Sequence, residues 1–350
     1  MTRGRVARAG DAIRSARRAA VACLVLVGGT ACGASNLPDG NSRALYTGTD
    51  SMGVVPLNAL TIPLDARAEL VENSAATLSH VQPGVFFTVN DSGNDPVLFA
   101  LDTTGADRGA WRVAGARNAD WEAASVGPCG PTTPAAGAGV ADTAQPNECV
   151  YIGDVGDNDA ARGCRVIYRV REPAAQQRGF LGRVAAERLV FQYADQPHDV
   201  EAMYVAPNAD TYLITKRRLV GAGRRLRPAL VFRIPASAWA GAATWVAELV
   251  DSLPIVPGSA PMRQITDAAL SPDGQWLAVR TYAQVYVFAA DSATGRVRGA
   301  IPPSVCNLVS LGRWQGEGVA WFGRSGKLLL TSEGRQSPMF AIDCPVPRSE

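Results

Sequence analysis

From about residue 59 onward, short apolar runs alternate with turn residues, and no long stretch has helical periodicity. Typical runs, such as 85–89 and 285–288, have the length and the β-branched and aromatic content of strands. The chain contains 35 Gly and 23 Pro, and many of them separate the runs. The pattern therefore predicts an all-β fold.

The apolar runs recur in units of four. Each unit begins with a polar residue followed by a small one, at Ser74-Ala75-Ala76, Glu122-Ala123-Ala124, Glu201-Ala202-Met203, Asp267-Ala268-Ala269 and Glu317-Gly318-Val319. The starts are separated by 48, 79, 66 and 50 residues, and the two long intervals contain insertions around 128–147 and 219–228. The second and third runs match in all five units, whereas the fourth run is weak in the fourth unit and missing from the last.

Repeated four-strand units predict a β-propeller. We expect five four-stranded blades, with a sixth blade hidden in the irregular segments as the alternative. The run 60–64 precedes the first unit and can supply the strand that the last blade lacks, which would pair the exposed edge and close the ring. The small residue in each unit fits a first strand that lines the central channel, where bulky side chains would collide.

The N-terminal residues predict export. Residues 1–31 contain six Arg and an apolar stretch at 19–27, which is typical of a signal peptide and too short for a permanent membrane span. Residues 32–58 are poor in large apolar side chains and are interpreted as a tether. Residues 59–350 are the predicted propeller domain.

The end of the leader resembles a bacterial lipoprotein processing site. Small residues at Gly29-Thr30-Ala31 precede Cys32, which we therefore expect to be lipidated and to become the mature N-terminus. Ordinary secretion, with Cys32 as a plain residue, is the alternative. By the same resemblance, Ala34 favours an anchor in the outer membrane or at the cell surface.

Composition and charge exclude two classes of protein. The full chain has 34 basic and 32 acidic residues and is 47% hydrophobic, which fits neither a disordered chain nor a nucleic-acid binder with a basic face. Removal of residues 1–31 would leave 28 basic against 31 acidic residues, a net charge of −3. The basic excess thus belongs largely to the leader.

Cysteine usage agrees with export, because five Cys remain after Cys23 and Cys32 are set aside. We favour the pairs Cys129 with Cys149, which would close the insertion between them, and Cys306 with Cys344, although spacing does not fix connectivity. There is no CxxC motif and only two His are present, so a structural zinc site is not expected.

Charged residues concentrate in the loops that a propeller would bring to one face, before the first strand and after the second strand of each blade. The candidate metal ligands are Asp120, Glu122, Asp154, Asp157, Glu201, Asp267 and Glu317. The candidate ligand-binding residues are Asn90, Asp91, Lys216, Arg280 and Arg335. Converging carboxylates must take up protons, pair with cations or bind a metal, and oxygen ligands suit calcium. Ion pairing with Lys216, Arg280 and Arg335 is the alternative to calcium.

A family resemblance follows from three phrases, at residues 87–94, 120–122 and 151–158. They resemble bacterial exported β-propellers akin to the SdiA-regulated and phytase-like groups, and Ser271-Pro272-Asp273-Gly274 is similar to a hairpin of TolB-like propellers. The resemblance implies that Glu122, Glu201 and Glu317 face the channel, where calcium-dependent hydrolytic propellers hold metal. The chain departs from the phytase-like pattern in having two Lys in total and in having Ser74 where the other units have an acid.

Two classes of function remain. The first is a non-enzymatic, membrane-tethered propeller whose acidic channel face binds a small-molecule or protein ligand, with calcium as the candidate cofactor. The second is a calcium-dependent hydrolase of phosphomonoesters or lactones, with Glu122, Glu201 and His198 as candidate catalytic residues. The sequence favours the first class, because no nucleophile and base stand in a recognisable arrangement.

Overall fold

The computed structural model describes residues 59–131, 147–175, 178–216, 228–253, 255, 264–312, 315–322 and 326–347, and also the strand positions 219–220 and 225–226. The predicted leader, the tether and Cys32 lie outside these residues and stay predictions. No helix in the described part of the chain is both long enough and apolar enough to cross a membrane.

Strands are the main regular structure in the described part of the chain, and turns and loops connect them. The first strands in chain order are β1 Ala59–Ile62, β2 Thr77–Leu78, β3 Val85–Val89, β4 Val97–Asp102, β5 Asp107–Ala114, β6 Trp121–Pro128, β7 Glu148–Asp154, β8 Arg165–Arg171, β9 Phe180–Tyr193, β10 Val200–Val205 and β11 Thr211–Thr215. They continue with β12 Leu219–Val220, β13 Arg225–Leu226, β14 Ala229–Ile234, β15 Trp245–Leu253, β16 Ile265–Leu270, β17 Trp276–Thr281, β18 Gln284–Ala289, β19 Ser304–Asn307, β20 Gly316–Trp321, β21 Lys327–Ser332 and β22 Met339–Asp343. Among the described residues, two short 3₁₀ helices, Ala236–Ala240 and Val309–Leu311, lie in loops.

Antiparallel pairing sorts these strands into four-stranded sheets. The first sheet is β2 to β5, the second β6 to β9, the third β10, β11, β14 and β15, the fourth β16 to β19, and the fifth β20 to β22 with β1. The first strand of each sheet contacts the first strands of the next and the previous sheets, which closes a ring around an axis. The predicted β-propeller is therefore confirmed. The blade count stays a prediction, because parts of the chain such as 132–146 and 256–263 lie outside the described residues.

The N-terminal strand completes the fifth sheet. Ala59 to Ile62 pair in antiparallel register with Ile342 to Met339 of β22, so the end of the domain is hydrogen-bonded to its beginning. This is the closure that the run 60–64 predicted, although the strand ends before Pro63, which has no N–H to donate. A further connection lies at the rim, where the long β9 pairs in parallel with β5 and with β15.

Small residues line the axis because neighbouring sheets touch there. Ala75, Ala123 and Ala202 are fully buried. A Cβ atom on Gly318 would lie 2.2 Å from the Thr331 hydroxyl oxygen and 2.8 Å from the Ala76 Cβ. Larger side chains at these positions would force the sheets apart. The polar-then-small pattern thus has the packing origin that the sequence indicated.

Both predicted disulfides are present. Cys129 and Cys149 join β7 to the residue that follows β6, across the base of the insertion at 132–146. Cys306 and Cys344 join β19 of the fourth sheet to the residue after β22 of the fifth. The second bond thereby ties two neighbouring sheets together near their outer strands.

Candidate cation site at the channel mouth

Irregular pairing turns the acidic side chains of the first strands toward the mouth of the channel. The register between first and second strand shifts between Trp121 and Ala123 and between Val200 and Ala202, so that Glu122 and Glu201 have no partner in the ladder. A similar shift between Gly316 and Val319 contains Glu317. Such bulges redirect a side chain out of the regular alternation of a strand.

Three carboxylates converge at this mouth. One oxygen each of Asp91, Asp120 and Glu122 lie within 4.8 Å of one another. Asp91 follows β3 in the first sheet, whereas Asp120 and Glu122 stand at the start of β6 in the second, so the group spans two sheets. Gly156 permits the approach, because a Cβ there would lie 2.5 Å from an Asp120 oxygen and 2.7 Å from the Glu122 Cγ.

The three carboxylates disfavour one another's ionised form. Burial, followed by the charges of Glu201, Asp91 and Asp120, raises the pKa of Glu122 well above its ordinary value. Burial and the charge of Asp91 raise the pKa of Asp120 to about 7, and burial raises the pKa of Asp91. Protonation or a bound cation would therefore relieve the repulsion among the three carboxylates.

A second set of ionisable groups extends the mouth toward the third, fourth and fifth sheets. The Lys216 ammonium donates to Glu201 at 2.7 Å, and burial raises the pKa of Glu201 to about 8 in spite of this partner. Burial alone would lower the pKa of Lys216, but Glu201, Tyr282 and Asp199 raise it well above its usual value. Glu317 is buried, and burial, followed by the charges of Glu333 and Glu201, raises its pKa well above the ordinary value.

Asp154 and Asp157 are held by arginines instead. Asp154 accepts a hydrogen bond from Arg162 at 2.7 Å and another from the backbone N–H of Asp120 at 3.0 Å. Asp157 forms a buried ion pair with Arg165 and also accepts from the backbone N–H groups of Ala161 and Arg162. These two carboxylates are therefore neutralised by ion pairs, which was the alternative to calcium. Their partners are Arg162 and Arg165 rather than Lys216, Arg280 or Arg335.

Asp267 and Arg280 lie below the mouth, in the packed interior. In the fourth sheet the register shift falls between Ile265 and Asp267, so Thr266 takes the position that Glu122 and Glu201 have in their sheets. Asp267 accepts backbone N–H groups, and the Arg280 guanidinium donates to the carbonyls of Gly318 at 2.5 Å and Thr331 at 2.6 Å. These contacts join sheets rather than hold a ligand.

Three other candidates have structural partners outside the carboxylate group. The Asn90 amide accepts from the N–H groups of Val71 and Glu72 and donates to the Glu69 carbonyl, which fixes the loop before β2. Arg335 is exposed and donates to the Ala68 carbonyl at 3.3 Å. His198 packs edge-on against Tyr193 and contacts Asp195 at 3.1 Å, so it is tied to the end of β9.

Tyr282 and Glu333 also lie at the mouth, and of these two only Tyr282 is uncharged at neutral pH and therefore missed by a search for charged loops. Each is the first residue after the second strand of its sheet, as Lys216 is in the third sheet. Burial and the charges of Asp91 and Glu72 raise the pKa of Glu333 to about 7. Burial and the charge of Glu317 raise the pKa of Tyr282. Aligning the residue that follows the second strand in each repeat, instead of looking only for charged residues, would have identified Tyr282 from the sequence.

The donor set of the mouth fits a hard cation. Asp91, Asp120 and Glu122 offer only carboxylate oxygens, no His or Cys belongs to the group, and two of the three side chains are partly open to solvent. Calcium takes six to eight oxygen ligands in flexible geometry, so carboxylates supplemented by water can hold it.

Comparison with known proteins yields similarity of structure only. No protein-family model matches the chain, and no curated protein sequence matches it. The chain is similar to the Malassezia sympodialis allergen Mala s 1, with 9% identity over 83% of this chain and 97% of that one and a TM-score of 0.47. It is also similar to Myxococcus xanthus glutaminyl cyclase, with 13% identity, coverage of 83% and 97%, and a TM-score of 0.43.

A third similarity is to a Xanthomonas campestris gluconolactonase, with 12% identity over 84% of this chain and 92% of that one and a TM-score of 0.38. The activities belong to those proteins. The propeller assignment rests on the strand pairing described above, and membership of the SdiA-regulated or phytase-like groups stays a prediction.

Proposed function

We propose that the protein is an exported, lipid-anchored β-propeller that binds calcium through Asp91, Asp120 and Glu122 and uses the bound ion to hold a small-molecule or protein ligand at the channel mouth. The observation that carries this proposal is the convergence of three carboxylates within 4.8 Å. The anchor at Cys32 and a position at the outer membrane or cell surface, or secretion if Cys32 is not lipidated, belong to the same proposal.

The electrostatics support a cation rather than a purely structural acidic group. Lys216 donates its hydrogen bond to Glu201, and Arg162 donates to Asp154 and to the carbonyl of Gly156. Neither cation forms a hydrogen bond with the three converging carboxylates, so their mutual repulsion is only partly offset. A divalent ion would replace the protons that the raised pKa values indicate.

The position of the group supports ligand capture. Asp91 and Asp120 are partly exposed, so a cation held by them would keep coordination positions open to solvent. An anionic or oxygen-rich ligand can fill such positions, with Lys216 on the neighbouring sheet as a second point of attraction.

Calcium titration of the purified protein at pH 7.5 tests the site. We expect saturable binding with one ion at the mouth, a preference for Ca²⁺ over Mg²⁺, and at least a tenfold loss of affinity in Asp120→Asn and Glu122→Gln, on the order of 1.4 kcal/mol or more. Asp95→Asn is the matched control, because Asp95 lies in the same loop as Asp91 but forms an exposed ion pair with Arg112. Binding that is equal in all four proteins would refute the site.

A calcium-dependent hydrolase is a second candidate, favoured by the raised pKa of Glu201. A carboxyl whose pKa is about 8 holds its proton at neutral pH and can donate it to a leaving group. If the protein hydrolyses a phosphomonoester or a lactone, Glu201→Gln should lower kcat by 100-fold or more and still bind calcium. Absence of turnover in wild-type protein saturated with calcium would eliminate this candidate and leave the binding function standing.

A further inference from the structure

A cavity of about 190 Å³ lies at the other end of the first strands, away from the acidic mouth. All five first strands contribute to its wall near their final residues, through Leu78, Val126, Val205, Leu270 and Trp321. Because the acidic side chains stand at the beginnings of these strands, the cavity and the mouth are separate. The cavity has no part in the proposed calcium site.

Polar side chains in the wall are already bonded within the protein. The Thr77 hydroxyl accepts from the N–H of Val126 at 2.8 Å, and the Ser125 hydroxyl accepts from the N–H of Val205 at 3.0 Å. The Trp321 indole N–H donates to the Ala269 carbonyl at 2.9 Å. The wall therefore offers an occupant apolar surface from the strand ends together with polar atoms, several of which already have partners within the protein.

The rim of the cavity is acidic. Glu148 lies on the rim with its Oε2 3.3 Å from the His80 ring, and both side chains are partly open to solvent. Glu172 is adjacent, because its N–H donates to the Glu148 carbonyl and its Oε2 is buried with no hydrogen-bond partner among the described residues. Burial raises the pKa of Glu172, and the charge of Glu148 adds to this effect. None of the described lining residues is Lys or Arg.

We propose that this cavity binds a small organic ammonium ion, whose apolar part enters between the strand ends and whose ammonium group pairs with Glu148. The volume is close to that of apolar cavities of about 150 Å³ that hold a single aromatic ring, and it is smaller than the pockets of about 300 Å³ or more that hold larger ligands. The indole of Trp321 supplies an aromatic wall against which the apolar part can pack. A carboxylate at the rim selects cations over anions of the same shape.

Three probes of matched shape and different charge test the proposal. In titrations followed by calorimetry or protein NMR, benzylammonium should bind one-to-one, benzyl alcohol more weakly, and benzoate not at all. Glu148→Gln should weaken benzylammonium binding about tenfold and leave benzyl alcohol binding unchanged, because only the charge-assisted contact is lost. Ala269→Leu should abolish binding of both probes by filling the cavity.

Controls separate this site from the calcium site. Glu248→Gln, an exposed change on β15, and Asp120→Asn at the mouth should both bind benzylammonium as wild type does, with or without calcium. The ammonium assignment is overturned if benzoate binds as tightly as benzylammonium or if Glu148→Gln has no effect. The cavity itself is overturned as a site if no probe binds saturably, or if Ala269→Leu binds as wild type does.

Discussion

Asp267 is fully buried, and its two carboxylate oxygens accept three backbone N–H groups, from Ala268 at 2.8 Å, Val319 at 2.7 Å and Ala76 at 3.2 Å. The donors belong to the fourth and fifth sheets and to the residues that lead into the first, so one side chain links three neighbouring parts of the ring. Its role at the axis is structural, and the hydrogen bonds supply the compensation that a buried carboxylate needs.

We therefore expect Asp267→Ala to lower the free energy of unfolding by about 3 kcal/mol or more, since it leaves three buried N–H groups without an acceptor. Denaturant unfolding of the purified variant measures this loss. Glu248→Gln on the surface of β15 should change stability by no more than about 0.5 kcal/mol. A variant at Asp267 as stable as that control would mean that the three contacts contribute nothing.

At the level of strands, β1 closes the ring by pairing with β22 of the fifth sheet. Its backbone pairs with β22 over Ala59 to Ile62, and the Ile62 side chain is buried in a cluster that also contains Met339. Without β1, the β22 edge and part of this cluster would be exposed, which favours pairing with other molecules.

A chain that begins at residue 65 should melt roughly 5 °C or more below a chain that begins at residue 59, and it should aggregate on heating. The two truncations differ only by β1 and the short link to Asp65, so the longer one is the matched control. Thermal unfolding followed by circular dichroism and light scattering measures both effects. Equal melting temperatures would show that the fifth sheet does not need its N-terminal strand.

The strands also show what the sequence could and could not reveal. The alternation of apolar and turn residues was enough to predict the four-strand unit and its closure by β1, because these depend on burial that every unit repeats. The repeat aligned Asp267 with Glu122, but the bulge of the fourth sheet lies at Thr266, one residue earlier. A shift of one residue moves a side chain to the other face of a strand, and the apolar pattern does not encode it.

The ion pairs formed within loops could not be predicted from the sequence either. Asp154 and Asp157 have the residue type and spacing of metal ligands, yet the segment after β7 folds back so that Arg162 and Arg165 pair with them. The ion pairs depend on the path of that loop, which no periodic pattern specifies. The convergence of Asp91 with Asp120 and Glu122 depends in the same way on how two sheets meet.

At the scale of the whole molecule, the acidic mouth couples stability to pH. The pKa values of Asp120 and Glu333 rise to about 7 and that of Glu201 to about 8, mainly through burial. Each group binds its proton more tightly in the folded chain than in the unfolded one. Its contribution to stability is therefore fully present below its ordinary pKa, near 4, and is lost as the pH rises through 7 to 8.

In the absence of divalent cations, the melting temperature should therefore fall between pH 5.5 and pH 8.5, and Glu333→Gln should make this fall shallower, because the amide does not titrate. Calcium binds the ionised carboxylates, so it should raise the melting temperature more at pH 8 than at pH 5.5. At about 100 times its Kd, it should add about 2.7 kcal/mol to the free energy of unfolding. Thermal unfolding across this pH range, once with chelator and once with calcium, measures how the melting temperature depends on pH in each condition. Glu248→Gln is the control. If calcium stabilised the protein equally at pH 5.5 and pH 8, the ion would not be replacing protons at the mouth, and its site would have to lie elsewhere.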